Sequence, residues 1–205
     1  MKTLKIVTLS LSCVLSISAF ASSSFTNLAS INDKLVFAGV KEVEPGMEMV
    51  SHLVEIKVDN MKSRKIKLPA EINSREIVGL IPSKKNLIYV VTQMTRGGGD
   101  KPQIHSFNTS LNVWRKSGEV DCVSFKEVKL SEKALEFSCE ETDEKGNVSM
   151  VTKKISADVT LDSVTLTLPI SEVKTKEFKA SLEGEPFEWD KLKIVSGKKE
   201  KIFTP

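Results

Sequence analysis

Apolar residues recur at every second position through short stretches of this chain, and no long segment carries them at the three-and-four spacing of an amphipathic helix. Side chains of a strand point alternately to opposite faces, so this period restricts the chain to sheets. Candidate strands run over Lys34 to Val40, Leu53 to Val58, Lys65 to Leu68, Leu87 to Gln93, Gln103 to Phe107 and Val113 to Lys116. The series continues with Asp121 to Val128, Ala134 to Glu140, Val148 to Ile155, Val164 to Leu168, Glu177 to Leu182 and Leu192 to Val195. Turn formers separate them. Gly146 and Asn147 are placed to take positive φ in a tight hairpin, Thr95-Arg96-Gly97-Gly98-Gly99-Asp100 makes a longer hairpin tip, and Leu130 to Lys133 makes a third turn. The expected fold class is all-β, built of repeated antiparallel meanders, with a sandwich or barrel as the alternative closure.

Residues 1–21, MKTLKIVTLSLSCVLSISAFA, have the form of an export signal: Lys2 and Lys5 at the start, an uncharged apolar run from Ile6 to Phe20, and Ala19-Phe20-Ala21 as the small-x-small cleavage pattern. Cleavage is expected after Ala21, leaving a single all-β domain over 22–205 with no membrane span. A lipoprotein cut at Cys13 is disfavoured, because Ser10 and Ser12 stand where a lipobox wants leucine and a small residue. The short basic start and Ala-x-Ala end are bacterial in style, so the expected location is the periplasm or the medium. In a eukaryotic secreted protein Asn108-Thr109-Ser110 and Asn147-Val148-Ser149 would be glycosylation acceptors.

Removing 21 residues from 205 leaves 184, enough for one domain with a proper core. The leader takes two lysines with it, so the remainder holds 28 basic and 27 acidic side chains. That balance gives nucleic acid no electrostatic handle, and the alternation of signs along the chain reads as a solvated surface. Cys122 and Cys139 remain, and an isolated pair in an oxidising compartment is expected to form one disulfide. Such a loop closure stabilises by on the order of 3 kcal/mol, acting mainly on the unfolded chain. A hairpin centred between Leu130 and Ser131 places Cys122 opposite Cys139, Ser124 opposite Phe137 and Lys126 opposite Leu135.

The chain also repeats itself faintly. DKLVFAGV, KNLIYVVTQ and EKALEFSCE begin at Asp33, Lys85 and Glu132, each a turn followed by an apolar strand. EIKVDNMKSRKI from Glu55 and IHSFNTSLNVWRK from Ile104 follow the first two, again about fifty residues apart, the spacing of one four-stranded unit per repeat. The unit from Lys85 to Lys116 resembles a blade of a β-propeller, particularly the kelch type, in its LIYVV strand, its HSFNTSLN turn and the following Val113-Trp114. The resemblance implies a propeller-like arrangement, and three units plus a C-terminal remainder would make a small four-bladed ring.

Chemistry-bearing patterns are few. His52 and His105 are the two histidines of the chain, each near a strand start where a partly exposed imidazole is the ordinary outcome, and neither is expected to hold a metal. The cluster Glu140, Glu141, Asp143 and Glu144 lacks the spacing of a calcium loop. Neither a Gly-x-Ser-x-Gly elbow nor a phosphate-cradling glycine loop occurs, and the Ser-x-x-Lys matches at Ser171/Lys174 and Ser196/Lys199 are no more than chance supplies. No catalytic, cofactor-binding or metal-binding residue is therefore expected. Trp189 and Phe187, marked as a loop by Gly184 and Pro186, and Arg96 and Asp100 in the glycine-rich tip are the candidate ligand contacts. The expectation is an exported, non-catalytic β-rich protein that binds a protein, peptide or glycan partner. The alternatives are a hydrolase-type enzyme built from scattered carboxylates and a structural subunit of an envelope assembly. Ligand, biological process, source and oligomeric state stay open.

Overall fold

The computed structural model describes residues 22–43, 48–83, 86–94, 101–122, 125–131, 133–143, 145–157, 164–186 and 188–205. The expected export signal lies outside them. The chain is all-β, in four groups of four antiparallel strands. Sheet I contains β1 (Ser22–Ile31), β2 (Leu35–Val43), β3 (Val50–Lys57) and β4 (Lys62–Lys67), and sheet II contains β5 (Glu76–Pro82), β6 (Leu87–Gln93), β7 (Gln103–Asn108) and β8 (Val113–Glu119), each laid out in chain order. Sheet III contains β9 (Phe125–Ser131), β10 (Ala134–Thr142), β11 (Val148–Ser156) and β12 (Val164–Thr167) in the order β12-β9-β10-β11. Sheet IV contains β13 (Glu172–Lys174), β14 (Lys179–Glu185), β15 (Glu188–Ser196) and β16 (Lys199–Phe203), and Phe25 paired with Trp189 joins it to sheet I. No helix among the described residues is long and apolar enough to cross a membrane.

Why these strands stack as they do follows from which of their faces are apolar. In β1, β2, β5, β6 and β7 consecutive residues are buried, as in Val36-Phe37-Ala38 and Ile88-Tyr89-Val90-Val91, so sheets I and II are covered on both sides. β10 and β14 instead alternate, with Leu135, Phe137 and Cys139 buried and Ala134, Glu136 and Ser138 turned away. Sheets III and IV are thus one-sided. Three apolar layers result: Phe25, Val36, Ile56, Ala180, Leu192 and Ile194 between IV and I; Phe37, Leu53, Ile77, Leu80, Val90 and Phe107 between I and II; and Tyr89, Ile104, Val128, Leu130, Leu135 and Phe137 between II and III. Among the described residues no apolar layer joins III to IV.

The inner strands meet where the chain crosses from sheet III to sheet IV. A bulge at Thr26 interrupts the pairing of β1 with β2, and at this point Ile170 N–H donates to Asn27 Oδ1 at 2.9 Å while Leu28 N–H donates to the Ile170 carbonyl at 2.8 Å. Leu168 lies over Gly79 of β5, where an added Cβ would come within 2.6 Å of its Cδ1. One segment thereby touches the inner strands of sheets I and II on its way to sheet IV, which gives the propeller-like convergence. Sheets I and II are also tied at their turns, by Asn32 Nδ2 donating to Asn86 Oδ1 at 2.7 Å and by Arg64, which spans the buried Glu55 carboxylate (2.9 and 2.8 Å) and Asn112 (3.3 Å).

The internal repeat is a repeat of backbone geometry. Bulges fall at Thr26 and Val78, Leu35 and Leu87 open β2 and β6, and the left-handed residues Met61 and Asn112 close the β3–β4 and β7–β8 turns, all 51 or 52 residues apart. The third unit departs from it. β10 takes the third place in its sheet, not the second place held by β2 and β6, because β12 arrives from later in the chain to fill the innermost place.

The expected hairpin register is corrected as well. Lys133 takes φ 70° at the β9–β10 turn, and Leu135 pairs with Leu130 and Phe137 with Val128, where the sequence reading opposed them to Lys126 and Ser124. Matching apolar residues across the strands outweighs setting the cysteines face to face. Cys139 pairs with Phe125 beyond a bulge at Lys126, and the Cys122–Cys139 disulfide reaches it from the segment leading into β9, with Cα atoms 5.6 Å apart.

A Cβ on Gly39 would lie 2.6 Å from Thr26 Oγ1 and 3.1 Å from Ile77 Cγ2, so close approach of β2 to the β1 bulge and to β5 requires glycine there. Gly39→Ala is expected to lower stability by about 1–3 kcal/mol, measured by urea unfolding. An unchanged midpoint would contradict this packing.

Candidate functional site

The structure places the sequence-predicted contact residues unequally. Trp189 is a strand residue, 7% exposed and packed in the layer between sheets I and IV, so it belongs to the core and not to the exposed loop expected from Gly184 and Pro186. Gly184, at φ 123°, instead lets β14 turn tightly against Asp190. Phe187, Arg96 and Asp100 lie outside the described residues. Trp114 is half-buried, its ring centroid 4.8 Å from that of Phe107. In the acidic hairpin, Asp143 accepts from Lys145 N–H and Asn147 N–H, each at 2.8 Å, and from the Asn147 amide, which holds its carboxyl below the usual range. Gly146 takes positive φ there and Asn147 does not.

Antiparallel alternation puts the β2–β3, β4–β5, β6–β7 and β8–β9 connections at one end of sheets I and II, and buried polar side chains gather at that end: Ser51, His52, Arg75, Thr92 and His105. Both histidines are buried, contrary to expectation, because they lie on β3 and β7, inside the exposed outer strands β4 and β8, where sheets I and II are covered on both faces. His52 Nδ1 is 3.7 Å from Glu42 Oε1, and Lys65 holds the same carboxylate at 2.9 and 3.1 Å. Burial, helped by the nearby Lys65 and opposed by Glu42, pushes the His52 pKa down to about 4. His105 Nε2 is 3.7 Å from Glu71 Oε1, and burial lowers its pKa too, with Lys116 and Arg75 acting in the same direction and Glu71 against. The imidazoles are neutral at pH 7.

The two imidazoles do not converge on one point. His52 shares a face with Val54 and Ile56, toward sheet IV, whereas His105 shares one with Phe107, toward sheet I, so sheet I stands between them. Ser51 adjoins His52 in the strand and therefore points to the opposite face, with Leu53 toward sheet II, so it does not pair with the His52 imidazole. Among the described residues no three His, Cys, Asp or Glu side chains are grouped to hold a metal ion.

Charge, by contrast, is collected in one place. β4, β8 and β16 are the outer edge strands of sheets I, II and IV. The stretches 57–67, 113–119 and 197–203 that carry them hold ten Lys and Arg against three Asp and Glu. Adding Glu42 and Glu55, which pair with Lys65 and Arg64, still leaves a surplus of five positive charges. The three edges are laced together by the basic residues themselves: Lys199 Nζ donates to the Asp59 carbonyl (3.3 Å), Lys201 Nζ to the Met61 carbonyl (2.9 Å), and Arg64 Nη1 to Asn112. Lys57 and Lys62 stand directly opposite each other, both exposed, a like-charge pairing that isolated sheets avoid. Beside this rim, at the turn end of sheets I and IV, a cleft of about 760 Å³ is lined by Lys34 and Lys57 together with Asp33, Asp59 and Glu177. Acidic side chains outnumber basic ones, eight to three, over residues 121–144, the stretch that carries β9 and β10, and Lys153 and Lys154 of β11 pair with two of them, Glu141 and Glu136. Counting over the whole chain hid this segregation, because it arises from edge strands that are far apart in sequence.

No protein-family model matches the chain, and no curated protein matches it. Among solved structures it is similar to the β-propeller domain of the Trilobed protease from Pyrococcus furiosus, described as having an open velcro topology, at 10% identity and a TM-score of 0.38, covering 90% of this chain and 72% of that one. The likeness is one of coarse strand arrangement, and the propeller-like description rests on the strand pairings above.

A histidine whose folded pKa lies below its unfolded value of about 6.5 lets the unfolded chain bind more protons between the two values, so stability is full above that window and falls as pH drops through it. For His52 the window runs from about 6.5 to about 4. The loss of melting temperature between pH 7 and pH 4.5 is expected to be smaller in His52→Gln than in the parent, read by circular dichroism. Equal losses would contradict the assignment.

Proposed function

We propose that this is an exported, non-catalytic envelope or secreted protein that holds a protein, peptide or glycan partner against the basic outer rim of sheets I, II and IV. The observation that carries this reading is the segregation of charge: a chain almost neutral after loss of its leader concentrates a surplus of five positive charges on three laced edges. Such a field steers an anionic partner and fixes its register more than it adds to fold stability. Export is supported by the leader-like residues 1–21 and by a Cys122–Cys139 disulfide of the kind oxidising compartments sustain. The periplasm or the medium is the proposed location, in keeping with the bacterial style of the signal.

We read the connection-rich end as structural, since the two imidazoles lie on different sides of sheet I and the buried Ser51 hydroxyl hydrogen-bonds neither of them. The test uses immobilised mature protein and envelope extract of the native host. Partner capture is expected to be released by about 0.5 M salt and lost in the triple variant Lys57→Glu/Lys62→Glu/Lys67→Glu. Capture that the triple variant leaves intact would contradict the rim as the binding surface.

A further inference from the structure

Resting on that reading of the rim, we infer that its partner is an extended acidic polypeptide segment, which adds to β4 as a further strand of sheet I. The first ground is the backbone. β4 pairs with β3 on one side, and among the described residues no strand lies on its other side, so a row of amide and carbonyl groups at its outer edge is open to a ladder. The second ground is the side chains on both faces of that edge. Lys62 and Arg64 project on the face toward sheet II, and Lys65 and Lys67 project on the face toward sheet IV, four cations in the six residues KSRKIK. A strand laid beside β4 alternates its own side chains between the same two faces. It meets the cations on both faces only when acidic residues fall on both of its own faces, since a strand acidic on alternate residues would satisfy one face alone; Ser63 and Ile66 carry no charge.

Lysines on an edge strand commonly serve a different purpose, keeping neighbouring molecules apart. That purpose does not account for their distribution here. β11, also an outer edge, carries no charge from Val148 to Thr152 and exposes Val148 and Met150. An edge-protecting pattern would place charge on this apolar stretch first. The charge sits instead on β4 and is extended by β8 and β16 on either side, where Glu119 and Glu200 are paired with Lys116 and Lys193, so the surface flanking an added strand has a basic excess. An acidic polysaccharide would satisfy the charges but leave the β4 ladder unused.

Labelled poly-L-glutamate is the peptide probe and heparin the carbohydrate probe, each titrated against the mature protein at about 20 mM salt, where exposed charges are weakly screened. Backbone hydrogen–deuterium exchange is read on residues 62–67 with and without each probe. The expected result is salt-sensitive binding of poly-L-glutamate with slowed exchange confined to 62–67 and its β3 neighbours, and affinity about tenfold weaker in Lys62→Gln/Lys67→Gln. Both side chains are exposed, and unchanged melting of this variant checks that it folds. Heparin binding with no slowing at 62–67 from either probe overturns strand addition while leaving the rim as a binding surface. Binding of neither probe overturns the acidic-segment inference, and the rim reading then stands or falls on the capture experiment with the triple variant.

Discussion

Burial on both faces of sheets I and II is the constraint from which the remaining architecture follows. A sheet without a solvated side needs a neighbour on each side, and the runs Val36-Phe37-Ala38 and Ile88-Tyr89-Val90-Val91 commit these two sheets to that condition. Sheet IV covers one flank and sheet III the other, and both afford to be one-sided because nothing apolar remains beyond them. Such close stacking also dictates details: glycine at position 39 where β2 meets the Thr26 bulge, and the two-point hydrogen bonding of Ile170 to β1, which holds the link between the outer pair of sheets against the inner one.

The same constraint separates what could be read from the sequence from what could not. Strands in the middle of each unit were legible, because Leu87 to Gln93 and Ala134 to Glu140 carry clear apolar patterns between turn residues. β1 and β5 were not, although they are the inner strands. β1 opens with three serines beside a leader-like segment, and β5 contains Gly79 and ends on Pro82, so local preference spoke against both while tertiary packing decided for them. The repeat was legible from sheet I to sheet II and misleading for sheet III, where a later strand occupies the innermost place. His52 and His105 looked ordinary because burial on both faces cannot be inferred from their neighbours alone. Trp189 looked exposed because its tight turn resembles a loop.

For function, the informative quantity was the position of charge, not its total. Alternating signs along the chain became, after folding, a basic rim of edge strands, with an acidic excess over residues 121–144. A strand places neighbouring residues on opposite faces, and a meander brings residues fifty apart onto one rim, so linear charge patterns and surface charge patterns need not agree. The rim runs along the outer edge from the turn at Lys57 and Lys62 to the connection-rich end, where Lys67 pairs with His52 and where recognition is usually sought. It uses the one kind of surface that a stack of sheets offers in quantity, its outer edges.

Hydrogen–deuterium exchange of the whole mature protein tests the central claim of doubly covered inner sheets. Amides around Leu28, Phe37, Leu80 and Val90 in β1, β2, β5 and β6 are expected to exchange last and together, while those of β11 and β16 exchange first. Protection strongest in sheet III or sheet IV, with sheets I and II opening before them, would contradict the account.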